Sequence, residues 1–290
     1  MKPFFTSFST SFGISGALVS FSTVSFLISI HFVIYYLLDF YTGLNRRGLI
    51  NVMVINVSLT SIYDNRDLLK KCIMSLTNQT LKPDMIHVYL SKEPYLLDKG
   101  FSGVPPWLAV MPGVCVKFVE NTGPYRKLLP ILKEKWMTDE LIITVDDDTV
   151  YAPDLIEHMV AAYKVSNGAC ISCRTWFLAD NSKLAMSGYK QNAVNNFHTG
   201  KGAVLYDPSM FKRVSSANTI FMPDYLTLCK TNDDIWFNLW RMYNQVPCVI
   251  VKSDSFMIQD CTNKPYALFN IYNERLNHTM YENTFAFIFR

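Results

Sequence analysis

Three consecutive carboxylates, Asp146, Asp147 and Asp148, follow the apolar run Leu141-Ile-Ile-Thr-Val145 and lead into Thr149. A short apolar run bounded by a turn reads as a buried strand. Its end then places the acids at the carboxyl edge of a sheet, where open α/β folds bind ligands. Adjacent carboxylates repel one another, so the spot needs cations or strong donors nearby. A hard divalent metal carrying a phosphate meets that need. The plainer alternative is that Asp148 and Thr149 cap the next helix while the others face water. A second acidic pair, Asp233-Asp234, precedes Ile235, Leu239 and Met242 at helical spacing. Asn232 or Asp233 suffices as that helix's N-cap, which leaves one acid surplus to capping.

Other residues share this pattern of polar chemistry beside predicted elements. Gly123-Pro124 sets a turn before Arg126 and Lys127, which stand where a short helix begins. Cations are disfavoured at that end of a helix. They make sense there when an anion is shared with the helix N-terminus; a solvated basic pair is the alternative. Gly200 and Gly202 precede a short strand, Ala203-Val-Leu-Tyr206, and glycine there suits close approach of backbone to a ligand. Cys170 and Cys173 have metal-site spacing but no second pair, so they read as packing residues. His87, among apolar neighbours, reads as a packed ring.

The elements that must hold these residues alternate between strand and helix. Leu49 to Ile62 is β-branched in the manner of a buried parallel strand. The polar loop Thr60-Ser-Ile-Tyr-Asp-Asn-Arg66 follows. Leu68, Leu69, Cys72, Ile73 and Leu76 recur at helical spacing, Pro83-Asp84 breaks the helix, and Met85–Leu90 is a second strand. That order is the βαβ unit of an α/β fold. Further strands are expected at Val114–Val119 and Ala169–Phe177, with a helix from Pro153-Asp154 through Tyr163.

Composition narrows the function classes. The chain has 290 residues, 18% of them charged, and a net charge of +3. No concentrated basic stripe is present, so nucleic-acid binding is not expected. Seven cysteines without framework spacing fit a reduced compartment. Asn56, Asn78 and Asn277 begin glycosylation sequons, a pattern that arises easily by chance. From Gly13 to Leu38 there is no charged residue, long enough to cross a bilayer once. The expected organisation is a tail and hydrophobic anchor helix over residues 1–48 and one catalytic domain over 49–290. Arg46, Arg47, Lys70 and Lys71 after the segment favour a cytosolic position for that domain.

Taken together, Val57-Ser-Leu-Thr-Ser-Ile, Leu76-Thr-Asn-Gln-Thr, Asn121-Thr-Gly-Pro-Tyr-Arg-Lys-Leu, Val145-Asp-Asp-Asp-Thr, Gly200-Lys-Gly-Ala-Val-Leu-Tyr and Asn232-Asp-Asp-Ile-Trp carry a resemblance. In that order they resemble the nucleotide-sugar-dependent glycosyltransferases of the GT-A fold, close to the family 2-like group of bacteria and large algal viruses. The resemblance implies an α/β, Rossmann-like mixed sheet, mostly parallel and flanked by helices. It implies transfer of a sugar from a nucleoside diphosphate sugar, UDP by prior, to the hydroxyl of a glycan or other acceptor, with inversion. Asp148, with Asp146, would hold Mn²⁺ or Mg²⁺. Thr60, Arg66, Lys127, Asp146, Asp147 and Gly202 would contact the nucleotide sugar, and Asp234 or Asp233 would be the catalytic base. The loop before Arg66 is longer than the family's usual turn. The alternatives are a membrane-tethered nucleotide- or sugar-binding module without catalysis, and a sugar nucleotidyltransferase. The latter needs a glycine-rich basic loop where Thr60-Ser-Ile-Tyr-Asp stands.

Overall fold

A buried strand with parallel neighbours on both sides needs side chains that tolerate burial on both faces, and Ile55–Thr60 (β1) meets that need. β2 (Met85–Leu90) and β4 (Leu141–Thr144) run parallel to it on either side. Val57 and Leu59 enter one core, while the fully buried Ser58 hydroxyl donates to the Lys127 carbonyl at 2.6 Å. The computed structural model describes residues 53–215, 219–251, 256–260 and 267–290. The tail and anchor expected over residues 1–48 lie outside these. Among the described residues no helix is long and apolar enough to cross a membrane.

The main sheet has the order β3-β2-β1-β4-β11-β6-β12-β9. β3 (Val114–Phe118) continues the parallel block beyond β2. On the other side β11 (Val204–Tyr206) is antiparallel to both β4 and β6 (Cys170–Ser172). β12 (Cys248–Ile250) is parallel to β6, and β9 (Asn192–Ala193) closes the edge. The sheet is therefore mixed, with a parallel block around β1.

Each face is covered by helices. On one face lie α1 (Arg66–Thr77) and α4 (Leu155–Val165), burying Leu69, Cys72, Ile73, Leu76, Leu155 and Met159. On the other lie α3 (Leu129–Glu134), α6 (Asp233–Tyr243) and α7 (Glu274–Ile288), burying Leu132, Trp236, Leu239 and Tyr281. The single-turn helices α2 (Pro106–Ala109) and α5 (Tyr225–Leu228) sit in the connections. Asp146–Asp148 occupy the turn between β4 and β5 (Thr149–Tyr151), at the carboxyl end of β4 as expected.

The expected single strand from Ala169 to Phe177 is two strands in two sheets. The Ser172 hydroxyl donates to the Arg174 carbonyl at 2.9 Å and accepts from the Arg174 amide at 3.2 Å, which turns the chain. β6 stays in the main sheet. β7 (Thr175–Leu178) joins β10 (Asn196–His198) and β8 (Met186–Ser187) in a small antiparallel sheet. Cys170 and Cys173 lie in the two different cores, so they do pack on opposite faces.

Buried polar groups lock α6 to the small sheet. The Asn238 amide donates to the His198 carbonyl at 2.8 Å and accepts from the His198 N–H at 2.9 Å. Arg241, fully buried, donates to the carbonyls of Val194, Asn196 and Val246 and to Asn238 Oδ1. No carboxylate takes part in these bonds; backbone dipoles hold the charge. Arg241→Met should leave three carbonyls without a donor and lower the unfolding free energy by about 3 kcal/mol or more, read by urea denaturation. A loss below about 1 kcal/mol would contradict this role.

Candidate active site

The acid turn is pinned from inside. The Tyr151 hydroxyl, fully buried, accepts from the Asp146 amide at 2.9 Å and donates back to the Asp146 carbonyl at 3.3 Å. The three carboxylates then part company. Asp147 accepts from the Ser61 hydroxyl, and from the Asn65 amide at 3.3 Å. Asn65 stands at the N-cap position of α1, so Asp147 lies at a helix end that favours negative charge. Asp146 turns the other way, 3.5 Å from Lys127 Nζ. Asp148 lines the cavity outside the turn.

Lys127 is the joint of the site. A 3-10 turn over Gly123–Lys127 carries it, and its ammonium lies 3.2 Å from Asp233 Oδ2 as well as near Asp146. Burial opposes the ammonium, but Asp233, Asp146 and Asp234 together outweigh burial and raise its pKa. Asp233 and Asp234 form the first turn of α6, where the helix dipole favours anions. Asn232 occupies the N-cap position but makes no capping bond; its amide donates to Asn277 Oδ1 at 2.8 Å.

Asp234 is held separately. Its Oδ1 accepts from the Gly200 N–H at 2.8 Å. Burial, followed by repulsion from Asp233, lifts its pKa to about 7 against the pull of Lys127. Burial and repulsion from Asp148 push Asp147 to about 7 as well. For Asp146, burial leads and Lys127 partly offsets it, leaving a value of about 6.

These groups line one cavity of about 850 Å³. Thr60, Lys127, Asp146, Asp147, Asp148, Asp233 and Asp234 all lie on its wall. Two residues singled out in the sequence do not. Arg66 is exposed, stacked 4.8 Å from the Tyr63 ring, because the loop before it folds as a 3-10 turn that carries it outward. Gly202 is buried at φ +98°, and a Cβ there would meet the Cys173 Cβ at 2.9 Å, so its requirement is conformational. Gly200 is the glycine of close approach. A Cβ at that position would lie 2.3 Å from Lys127 Nζ and 3.1 Å from Asp234 Oδ1.

Sequence reasoning missed a second buried pair. Arg126 Nη2 lies 2.8 Å from Asp98 Oδ2, both side chains nearly inaccessible, and Asp98 also accepts from the Asn121 amide at 3.2 Å. The basic pair is thus split, Arg126 to Asp98 and Lys127 to Asp146 and Asp233, and is not solvated. Arg126 Nη1 is buried with no protein partner, and Arg126 and Asp98 both line the cavity. Their only signal was the run Asn121 to Lys127; Asp98 sat in a stretch without periodicity. Ser61 and Asn65, after β1, serve a carboxylate and do not form a basic phosphate loop.

The donor set fits a hard divalent cation. Among the described residues no three His, Cys, Asp or Glu side chains converge, so the protein would offer one or two carboxylates, Asp148 and Asp146. That suits an ion completing its shell with substrate phosphates and water. Six carboxylates line the cavity (Asp98, Asp146, Asp147, Asp148, Asp233, Asp234) against four cations (Arg126, Lys127, Arg174, Lys201), an excess of negative charge that a dication would relieve.

No protein-family model matches this chain, and no curated protein matches it in sequence. Among solved structures it is similar to TarS of S. aureus, with a TM-score of 0.51 and 15% identity over 82% of this chain and 42% of that one. Weaker likeness is found to S. aureus TarS 1–349 (TM-score 0.49, 14% identity, 71% of this chain and 60% of that one). The mannosyltransferase PcManGT of Pyrobaculum calidifontis, in complex with GDP-Man and Mn²⁺, gives a TM-score of 0.48 at 12% identity, over 73% of this chain and 58% of that one. The chain therefore spans less than two thirds of the length of each of these structures.

Lys127→Met should strand Asp233 and Asp146 in a buried setting and cost about 3 kcal/mol of stability at pH 8 in urea denaturation. Lys99→Ala, which removes an exposed ion pair with Asp64, should cost less than about 0.5 kcal/mol in the same assay. Equal losses would show that Lys127 is not the joint. With the sheet order and the first of these likenesses in place, the described chain has a GT-A-like fold.

Proposed function

We propose that this protein is a metal-dependent glycosyltransferase that moves a sugar from a nucleoside diphosphate sugar to an acceptor hydroxyl with inversion. The observation that carries the reading is the Lys127 ammonium between Asp146, on the acid turn, and Asp233, beside Asp234. One cation joins a metal-type carboxylate to the acid next to the base in one cavity. A diphosphate entering a wall with excess negative charge needs a divalent ion with it, and Asp148 and Asp146 would hold Mn²⁺ or Mg²⁺ there. Such an ion supplies Lewis-acid stabilisation of the charge that grows on the leaving diphosphate.

The chain's own groups account for the remaining steps. Lys127 and Arg126 line the cavity with positive charge for the donor phosphates or base, and the buried Nη1 donor of Arg126 has no acceptor in the protein. Thr60 and the Asp98–Arg126 pair, which line the cavity, are assigned to the nucleotide; Arg66 and Gly202 are not among its lining residues. The acceptor oxygen attacks the anomeric carbon and the carbon–oxygen bond to the diphosphate breaks. The bonding pair leaves with the phosphate, and the acceptor proton passes to the Asp234 carboxylate. One displacement with a base on the face opposite the leaving group inverts the centre. Gly200 aims that carboxylate by donating to one oxygen and leaving the other for the proton.

A base with a pKa near 7 must be deprotonated to act. The groups facing Asp234 are Asp233, Lys127 and Asp146, with Asp233 raising its pKa most after burial. Transfer or donor hydrolysis should therefore rise with pH through about 7 and level off above it. Asp234→Asn should lower turnover by about a hundredfold or more while leaving binding of UDP or GDP with Mn²⁺ intact. Asp148→Ala should remove the metal dependence of nucleotide binding and lower turnover with it. Full turnover in Asp234→Asn, or unchanged metal-dependent binding in Asp148→Ala, would overturn the respective role.

A further inference from the structure

The cavity has a wall that the donor chemistry does not use. It is built where the chain enters α7. Phe269–Asn273 forms a π-helical turn, a device that often marks functional positions, before the α-helix proper begins at Glu274. Asn270, Asn273 and Asn277 line the cavity from this segment. The apolar face of α7 lies elsewhere, through Met280, Tyr281 and Ile288 in the core. The three asparagines lie apart from that apolar face, and two of them also bond the residues that lead into α6.

One of them carries an acceptor that the protein leaves unfilled. Asn273 is 8% exposed, its amide donates to the Thr231 carbonyl at 3.0 Å, and its Oδ1 is buried with no protein partner. Asn277 accepts from the Asn232 amide beside the acid pair of α6, which links this wall to Asp234. A buried amide oxygen without a partner costs about 1–3 kcal/mol unless a ligand or water completes it. The small sheet contributes Trp176 to the same cavity, half-buried, with the Arg174 guanidinium 5.5 Å from its ring. Phe269, 57% exposed, adds a second ring at the wall.

Uncharged amides that donate and accept, together with an aromatic face, match one chemistry closely. Vicinal hydroxyls of a pyranose ring pair with carboxamides, and the C–H face of the ring packs on an indole. An acyl chain would instead leave the amides unsatisfied. We propose that Trp176 with Asn270, Asn273 and Asn277 forms a saccharide-binding subsite that holds a pyranoside as the acceptor, with a ring hydroxyl presented to Asp234. The assignment of this sugar as acceptor rests on the transfer reading given above, whereas the saccharide site itself does not.

The test uses the full chain and two separate probes. Methyl glycosides of glucose, galactose, mannose and N-acetylglucosamine are screened at millimolar concentration by saturation-transfer NMR, with and without UDP or GDP and Mn²⁺. Nucleotide binding is measured in parallel by calorimetry. At least one glycoside should receive saturation on its ring C–H protons. Trp176→Ala and Asn273→Ala should each weaken it about tenfold or more, while Trp176→Phe keeps most of the binding and all three retain the wild-type nucleotide affinity. Retained nucleotide affinity in Asn273→Ala shows that lost glycoside binding does not come from a folding defect. No glycoside binding in the nucleotide-bound wild type, or binding indifferent to both alanine variants, overturns the subsite. Glycoside binding that depends on these residues without any nucleotide binding supports the subsite and overturns the transfer reading alone.

Discussion

A single buried ammonium holds two parts of this chain in one chemical unit. Lys127 sits on a turn set by Gly123-Pro124, and its carbonyl is gripped by Ser58 from the central strand. Its side chain reaches Asp146 at the end of β4 and Asp233 at the start of α6. Those elements are far apart in sequence and meet only because β4 is beside β1 and α6 packs across the opposite sheet face. Take away the cation and the two acids repel across the cavity; take away either acid and a buried charge loses its main support.

The same arrangement explains why other features of the wall are so constrained. Gly200 has no side chain because Lys127 Nζ occupies the space a Cβ would take. The Asn238–His198 bonds and the Arg241 carbonyl clamp hold β10, and therefore Gly200, against α6. Asp234 then receives a backbone donor on one oxygen and stays poised near neutrality by burial and by its neighbour Asp233. Across the cavity, the hydroxyl of Tyr151 and the donors Ser61 and Asn65 spread the acid turn apart. The fold thus keeps like charges separated while leaving a net excess for an incoming cation.

How much of this was legible in the chain depends on range. α1 and α4 were readable because their apolar residues are periodic, β1 and β2 because they are continuous apolar runs, and the acid turn fell at the carboxyl end of β4 as its apolar run implied. The break at Cys173-Arg174 was not, since it depends on a hydroxyl of Ser172 bonding two residues on, which hydropathy does not register. Of the two glycines, spacing could not tell which faces a ligand and which bends the chain. The Arg126–Asp98 pair and the asparagines at the entry to α7 were invisible for a plainer reason. Their partners are remote, and uncharged amides on a helix read as solvated surface until the fold turns them inward.

The central claim is that the carboxylates around Lys127 receive a nucleoside diphosphate sugar with a divalent ion and cleave its glycosyl bond. The most direct measurement is hydrolysis across a panel of nucleoside diphosphate sugars, followed by release of the diphosphate, with Mn²⁺, with Mg²⁺ and with chelator. The account predicts slow release from one or a few donors, only with the divalent ion present. Absence of release from every donor at saturating protein, or release that chelator does not diminish, would contradict it.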